Sequence, residues 1–253
     1  MQKHLKTLEE LEKGLVRAAS KDANTGDWIS DMQTKQKILD LFRDDVISPM
    51  WDQKNDQYYG FHDKSLLKPR IIPQETGIRI VPGGTSIRPG TYIAKNVVIL
   101  PPSYINIGAY IDEGTMVDSH VLVGSCAQIG KKVHLSTAVQ IGGVLEPVGS
   151  RPVIIEDDCF IGAGAIVVEG VIVREGAVVA PNLVLTSSIP IYDVVKKQIY
   201  YGTVPAQAVV VPGTRKSNNQ WMQDQGLALD CAIIPKYRDP KTDAATSLEE
   251  ALR

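Results

Sequence analysis

The chain has 253 residues, with 27 Lys and Arg against 29 Asp and Glu, a formal net charge of −2. That balance lacks the cationic surplus of a sequence-independent nucleic-acid binder, and no apolar run approaches the roughly 18 residues that span a bilayer. The N-terminus, MQKHLKTLEELEKGL, has no apolar signal-peptide core, and Cys126, Cys159 and Cys231 are too few and scattered for a disulfide framework or zinc cluster, so a cytoplasmic protein with buried thiols is expected.

In chain order, residues 1–20 carry leucines and a valine at helical spacing, which predicts a first helix. Residues 30–48 open on SDMQ, where Ser30 and Gln33 have the spacing of a capping box, and predict a second. The polar stretch KDANTGDW links the two, and residues 51–74 are mixed and predict no definite element.

From Val81 every sixth residue is aliphatic: Val81, Ile87, Ile93, Ile99, Ile105, Ile111, Val117, Val123, Ile129, Leu135 and Ile141. The period resumes at Ile155 and runs through Ile161, Val167, Val173, Val179, Leu185 and Ile191. Four residues after each stands a mostly small or aliphatic residue, among them Thr91, Ala109, Leu145, Ala165 and Ile189. Three residues after many of them stands Gly or Asn, such as Gly90, Asn96, Gly108 and Asn182, which tolerate positive φ and so mark a recurring turn. A six-residue strand–turn unit cannot bury its own apolar side and must stack on copies of itself. Three units per coil make a parallel β-solenoid with a dry aliphatic interior. A helical segment before it covers the open end and its strand edges.

Two stretches break the period: 142–154 as an excursion loop, and 192–203 as another before VPAQAVVVPG ends the coils. The tail holds a strand in ALDCAIIPKYRDP and a short helix in SLEEALR. The expected organisation is an N-terminal helical domain over 1–75, a solenoid over 76–214 and a C-terminal tail over 215–253. A zinc-dependent solenoid enzyme of the carbonic-anhydrase kind needs three converging histidines. Only His120 and His134 lie in the coils, with His4 and His62 outside, so no metal is expected.

The hexad pattern resembles the hexapeptide-repeat acyltransferases, which implies a left-handed parallel β-helix and a homotrimer with sites between subunits. The run YINIGAYIDEGTMVDSHVLVGSCAQIGKKVHLS, with IGGVLEP, VIIEDDCFIGA, GIRIVPGGTSIRPGTYIAKN, YYGTVPAQAVVVPG and CAIIPKYRDPKT, is similar to the tetrahydrodipicolinate N-succinyltransferase family over most of residues 77–253. That resemblance implies transfer of a succinyl group from succinyl-CoA to the amine of opened tetrahydrodipicolinate, in diaminopimelate and lysine biosynthesis. It implies no metal and no covalent intermediate.

Asp118, in GTMVD, matches the family position for amine binding and catalysis, and it follows inward Val117, so it projects from the coil. Arg79, in GIRIV, matches a substrate-binding position, where a planar guanidinium suits a dicarboxylate. His134 lies in a matching string and is read as structural. His120 stands where the family usually has tryptophan and is given no role. Glu146 and Pro147 either line the site or stabilise their loop. Ile166 stands where the family usually has an acid, and Glu169 is the nearest carboxylate in the sequence. CoA is expected along the outside of the later coils, with Lys196, Lys197, Arg215 and Lys216 as candidates for its phosphates. Two alternatives stand beside this reading. One is an N-acetyltransferase using acetyl-CoA on a related amino dicarboxylate. The other is a binding module without catalysis, which Asp118 and Arg79 argue against and Ile166 favours.

Overall fold

Six residues hold one two-residue strand and one turn, and the repeated units pair in register from coil to coil. The computed structural model describes residues 1–52, 57–239, 244, 248, 249 and 251. In it the hexads form three parallel sheets, here named by an outward residue. The Tyr92 face holds Tyr92–Ile93, Tyr110–Ile111, Gln128–Ile129, Ile154–Ile155, Ile172–Val173 and Thr203–Val204. The Tyr104 face holds Ser86–Ile87, Tyr104–Ile105, Leu122–Val123, Gln140–Ile141, Ile166–Val167 and Val184–Leu185. The His134 face holds Arg79–Ile80, Val98–Ile99, Met116–Val117, His134–Leu135, Phe160–Ile161 and Val178–Val179, and continues into Ala208–Lys216.

Most coils repeat after 18 residues, as in the pairing of Tyr92 with Tyr110, Leu122 with Tyr104 and Met116 with Val98. The excursion over 142–154 lengthens one coil to 26 residues, pairing Gln128 with Ile154. A later coil takes 31, pairing Ile172 with Thr203. The second residue of each strand points inward, and one continuous cluster takes in these residues from all three sheets. Burial of each is worth about 1.5–3 kcal/mol gross.

The first strand departs from the expected phase. Ile80, not Val81, pairs with Ile99, one residue longer than the repeat, and Val81 is only half-buried. The extra residue is absorbed at Pro82–Gly83–Gly84, where φ is +130° and +68° at the two glycines. The shift turns Arg79 outward. The turn itself is more general than Gly and Asn: His120, Cys126, Lys132, Ala138 and Asp158 all adopt φ between +52° and +67° at the same point of the hexad.

The N-terminal segment packs on the Tyr92 face. Helix α1 (Gln2–Glu12) stops well short of residue 20, because the chain turns at Gly14 with φ of +66°. A Cβ there would meet the Tyr92 ring at 2.9 Å. The polar linker is a hairpin, Ala19–Lys21 paired with Trp28–Ser30. Helix α2 (Met32–Asp44) is capped by Asp31, which accepts from the Thr34 amide, and not by Ser30. Ser30 Oγ instead donates to the Ser150 carbonyl in the excursion loop. Lys35 of α2 is fully buried and donates to the carbonyls of Pro147 and Ser150, and burial pulls its pKa below the ordinary lysine value. Leu145 belongs to this helical cluster rather than to the solenoid interior.

Residues 191–200 form a hairpin, Ile191–Asp193 against Gln198–Tyr200, where a loop was expected. The tail strand Ala228–Tyr237 lies between Ala208–Lys216 and Ile191–Asp193, extending the His134 face. The strand Ala208–Lys216 runs unbroken through residue 214. The helix expected in SLEEALR lies largely outside the described residues. All three cysteines are free and buried. No helix among the described residues is long and apolar enough to cross a membrane.

Candidate functional site

Asp118 follows the Met116–Val117 strand, where the chain leaves the His134 face for the Tyr104 face. Its backbone is held from both neighbouring coils: its amide donates to the Leu135 carbonyl, and its own carbonyl accepts from Ser103 Oγ at 2.9 Å. One carboxylate oxygen accepts from the Ser119 amide at 2.6 Å. The other has no protein donor, and no cation lies within ion-pair distance among the described residues. The site therefore offers a half-buried carboxylate on a backbone held from both sides, with one oxygen free of protein donors among the described residues.

Arg79 is exposed on the same face, two strands away, with no carboxylate partner among the described residues. Strand spacing and residue rise put the Cα atoms of Arg79 and Asp118 about 12 Å apart. They share a surface without touching, a separation that suits a small ligand with an amine at one end and a carboxylate at the other.

His134 pairs with Met116 one coil further on, its ring 5.2 Å from that of Phe160 and tilted by 31°. It therefore stands beside Asp118, about 8 Å away between Cα atoms. His120 occupies the left-handed turn position, with φ of +62°, and its side chain is exposed. Its amide donates to the Pro102 carbonyl.

Ile166 is half-buried and points outward on the Tyr104 face between Gln140 and Val184. Glu169 lies at the next corner, and its carboxylate accepts from the amide and hydroxyl of Ser187, the latter at 2.7 Å. It is not brought to Asp118. Pro147 is fastened through its carbonyl to Lys35, while Glu146 is exposed beside it.

The four basic candidates fall into two separate pairs. Lys196 lies 4.0 Å over the Tyr237 ring, and Lys197 sits in the adjoining hairpin turn. Arg215 and Lys216 pair with Leu229 and Ala228, at the other end of the tail strand. Eight residues of strand separate Leu229 from Tyr237, roughly 26 Å.

Sequence reading passed over Lys35, Arg17 and Glu156, which hold the N-terminal segment and excursion loop to the solenoid. Nothing in their local sequence distinguishes them from surface charges.

A family model described as the hexapeptide repeat of succinyl-transferase matches residues 152–187. A 2,3,4,5-tetrahydropyridine-2,6-dicarboxylate N-succinyltransferase of Paraburkholderia phymatum is 48% identical over 97% of this chain and 86% of its own length. The chain belongs to that family. A member from Rhodopseudomonas palustris is 43% identical over 97% of this chain and 87% of its own, and one from a Psychrobacter species is 45% identical over the same share of each. A crystal structure of a putative 2,3,4,5-tetrahydropyridine-2-carboxylate N-succinyltransferase from Campylobacter jejuni has a TM-score of 0.51 and 17% identity. It is matched by 100% of this chain, which spans 64% of that one, and the likeness is one of fold.

Proposed function

We propose that the protein transfers the succinyl group of succinyl-CoA to the amine of the opened form of tetrahydrodipicolinate. The observation that carries this reading is 43–48% identity over 97% of the chain to relatives bearing that name. The corner around Asp118 and Arg79 is chemically suited to it.

An amine with a pKa near 10 is free for about one part in a thousand at pH 7, about 4 kcal/mol from its reactive form. The open oxygen of Asp118 orients the amine and accepts its proton as nitrogen attacks the thioester carbon. The C–N bond forms, the carbonyl becomes an oxyanion, and its collapse breaks the C–S bond and releases the CoA thiol, which takes up a proton. Arg79, exposed and without a carboxylate partner among the described residues, clamps a substrate carboxylate through its planar fork. Fixing amine and thioester together supplies the remaining advantage. Asp118 is the catalytic residue of this scheme, and no metal enters it.

The same reading has the coils wind left-handed into a closed β-helix over 76–214, between an N-terminal helical domain (1–75) and a tail (215–253). The division at 214 falls within one strand. It also assembles three copies with sites between neighbours. The Tyr104 face favours this, because Tyr104 and Val184 are 37% and 40% exposed on it. CoA lies along the later coils, with Lys196 and Lys197 nearer to them than Arg215 and Lys216.

The test is thiol release from succinyl-CoA and acetyl-CoA in parallel, with 2-aminopimelate as a stable substrate analogue. Release dependent on both succinyl-CoA and the amine supports the proposal. Faster turnover of acetyl-CoA overturns the donor, and release from neither overturns the transferase reading.

A further inference from the structure

On the Tyr92 face, away from the Asp118 corner, a cavity of about 250 Å³ opens between the N-terminal segment and the coils. Its wall includes Arg17, Lys21 and Trp28 on one side and Asp112, Asp157 and Glu175 on the other, with Glu156 between them. The charges in this wall do not cancel among themselves.

Glu156 is saturated. It is 6% exposed and accepts from Trp28 Nε1 at 2.8 Å, Lys21 Nζ at 3.0 Å, Arg174 Nη1 at 3.2 Å and the Glu175 amide at 3.0 Å. Lys21 and Arg174 are thereby engaged by it, and Arg174 also reaches Asp27 at 3.7 Å.

Arg17 is left over. Its guanidinium stacks over Tyr110, 3.6 Å from the ring centroid, and Tyr110 in turn stacks on Tyr92. Its Nε donates to Gln128 Oε1 at 3.0 Å, which fixes the plane of the fork. No carboxylate comes within 4.0 Å of it among the described residues, although Asp112 and Asp157 are close enough to act on it electrostatically. Burial pushes its pKa below the ordinary arginine value, as expected of a guanidinium taken from water without a counter-ion. Across the cavity, among the described residues, Asp112 accepts only from the Glu113 amide and Asp157 only from the Lys131 amide. Glu175 is exposed, with no cation paired to its carboxylate among the described residues. One immobilised cation therefore faces three carboxylates without cationic partners, with ligand-sized space between.

We infer that this cavity is a second small-molecule site, and that it takes a diamino monocarboxylic acid. The carboxylate of such a ligand pairs with the pre-oriented fork of Arg17. Its two ammonium groups answer Asp112, Asp157 and Glu175, and its methylene chain lies along Trp28. A simple dicarboxylate would meet three like charges, and a plain diamine would leave Arg17 unanswered. The ligand's net charge of +1 offsets part of the acidic excess left by one cation facing three carboxylates.

The experiment is isothermal titration calorimetry on the full chain with L-lysine and L-ornithine as probes. L-norleucine, lacking the second ammonium, and 1,5-diaminopentane, lacking the carboxylate, serve as controls. One saturable site per chain is expected for L-lysine or L-ornithine, with both controls at least about tenfold weaker, a step of 1.4 kcal/mol. Asp112→Asn and Arg17→Lys should each weaken binding by about that factor, with melting by circular dichroism verifying that both variants fold. No saturable heat up to about 10 mM of either probe overturns the proposal, since a site that weak has no preorganised counter-charges. So does equal binding of a control, or wild-type affinity in both variants. Loss of binding in Asp118→Asn but not in Asp112→Asn moves the ligand to the other corner and also overturns it. The readout needs neither acyl donor nor turnover, so its outcome is independent of the succinyl-transfer assay.

Discussion

The carboxylate of Asp118 gives one oxygen to the Ser119 amide and keeps the other open, while neighbouring coils hold its backbone. Replacing it by Asn preserves shape and the amide contact but removes the charge and, in the proposed scheme, the base. Loss of a general base costs about 10²–10⁴-fold in rate, so kcat for succinyl transfer should fall by that much with the melting temperature almost unchanged. Activity within about threefold of wild type would assign the proton to another group, and His134 on the adjacent coil is next in place. Glu156 makes a separate prediction about stability. Burial acts to raise its pKa, but hydrogen bonds from Trp28, Lys21 and the Glu175 amide outweigh burial and hold the carboxyl below 4.5. A carboxyl depressed on folding contributes stability that is present above its unfolded pKa and lost as pH falls through the folded one. Glu156→Gln should therefore cost about 1–3 kcal/mol near pH 7. The gap to wild type should close below the ordinary glutamate range, which denaturant melts across pH will measure.

Among the elements, α2 and the excursion loop behave as one unit. Lys35 reaches 115 residues along the chain to the Ser150 carbonyl, and Ser30 donates to the same oxygen. The loop is thus fastened to the helical segment rather than left to pack by its own residues. Lys35→Met removes a buried ammonium, which by itself favours folding, but strips the loop of two donated hydrogen bonds. Amide exchange at Val144 and Ser150 should quicken about tenfold, with α2 and the global melt little altered. Unchanged exchange there would mean that Ser30 and Leu145 suffice to hold the loop.

For the whole molecule, stability comes from one aliphatic column shared by three sheets, so a single inward charge acts on every coil above and below it. Ile111 is fully buried between Ile93 and Ile129 of adjacent coils. Ile111→Asp places an unpaired carboxylate there and should abolish cooperative melting, because no donor is within reach. A soluble variant with the wild-type midpoint would contradict the inward phase. The exposed Tyr104 face belongs to the same scale. If it joins copies of the chain, sedimentation will give a closed species of three chains at assay concentration, whereas a fully active monomer would remove the shared site.

The period of six in the aliphatic residues determined the parallel strands, their inward residues and the outward projection of Asp118, because each hexad meets the same neighbours and its local pattern carries its packing. Positive φ at His120, Cys126 and Lys132 was hidden, since the stacked coils impose the turn regardless of side chain. The tertiary structure alone decided the slip from Val81 to Ile80, where two glycines absorb an extra residue. It likewise moved the cap of α2 from Ser30 to Asp31 and freed Ser30 for the loop. It separated Lys196 and Lys197 from Arg215 and Lys216 by the length of a strand, although all four looked alike in sequence. Arg17 and Asp112 meet across a cavity only because the N-terminal segment folds back on the Tyr92 face. Such pairings join residues about a hundred positions apart, and no local pattern records which charges a folded surface brings together and which it leaves unanswered.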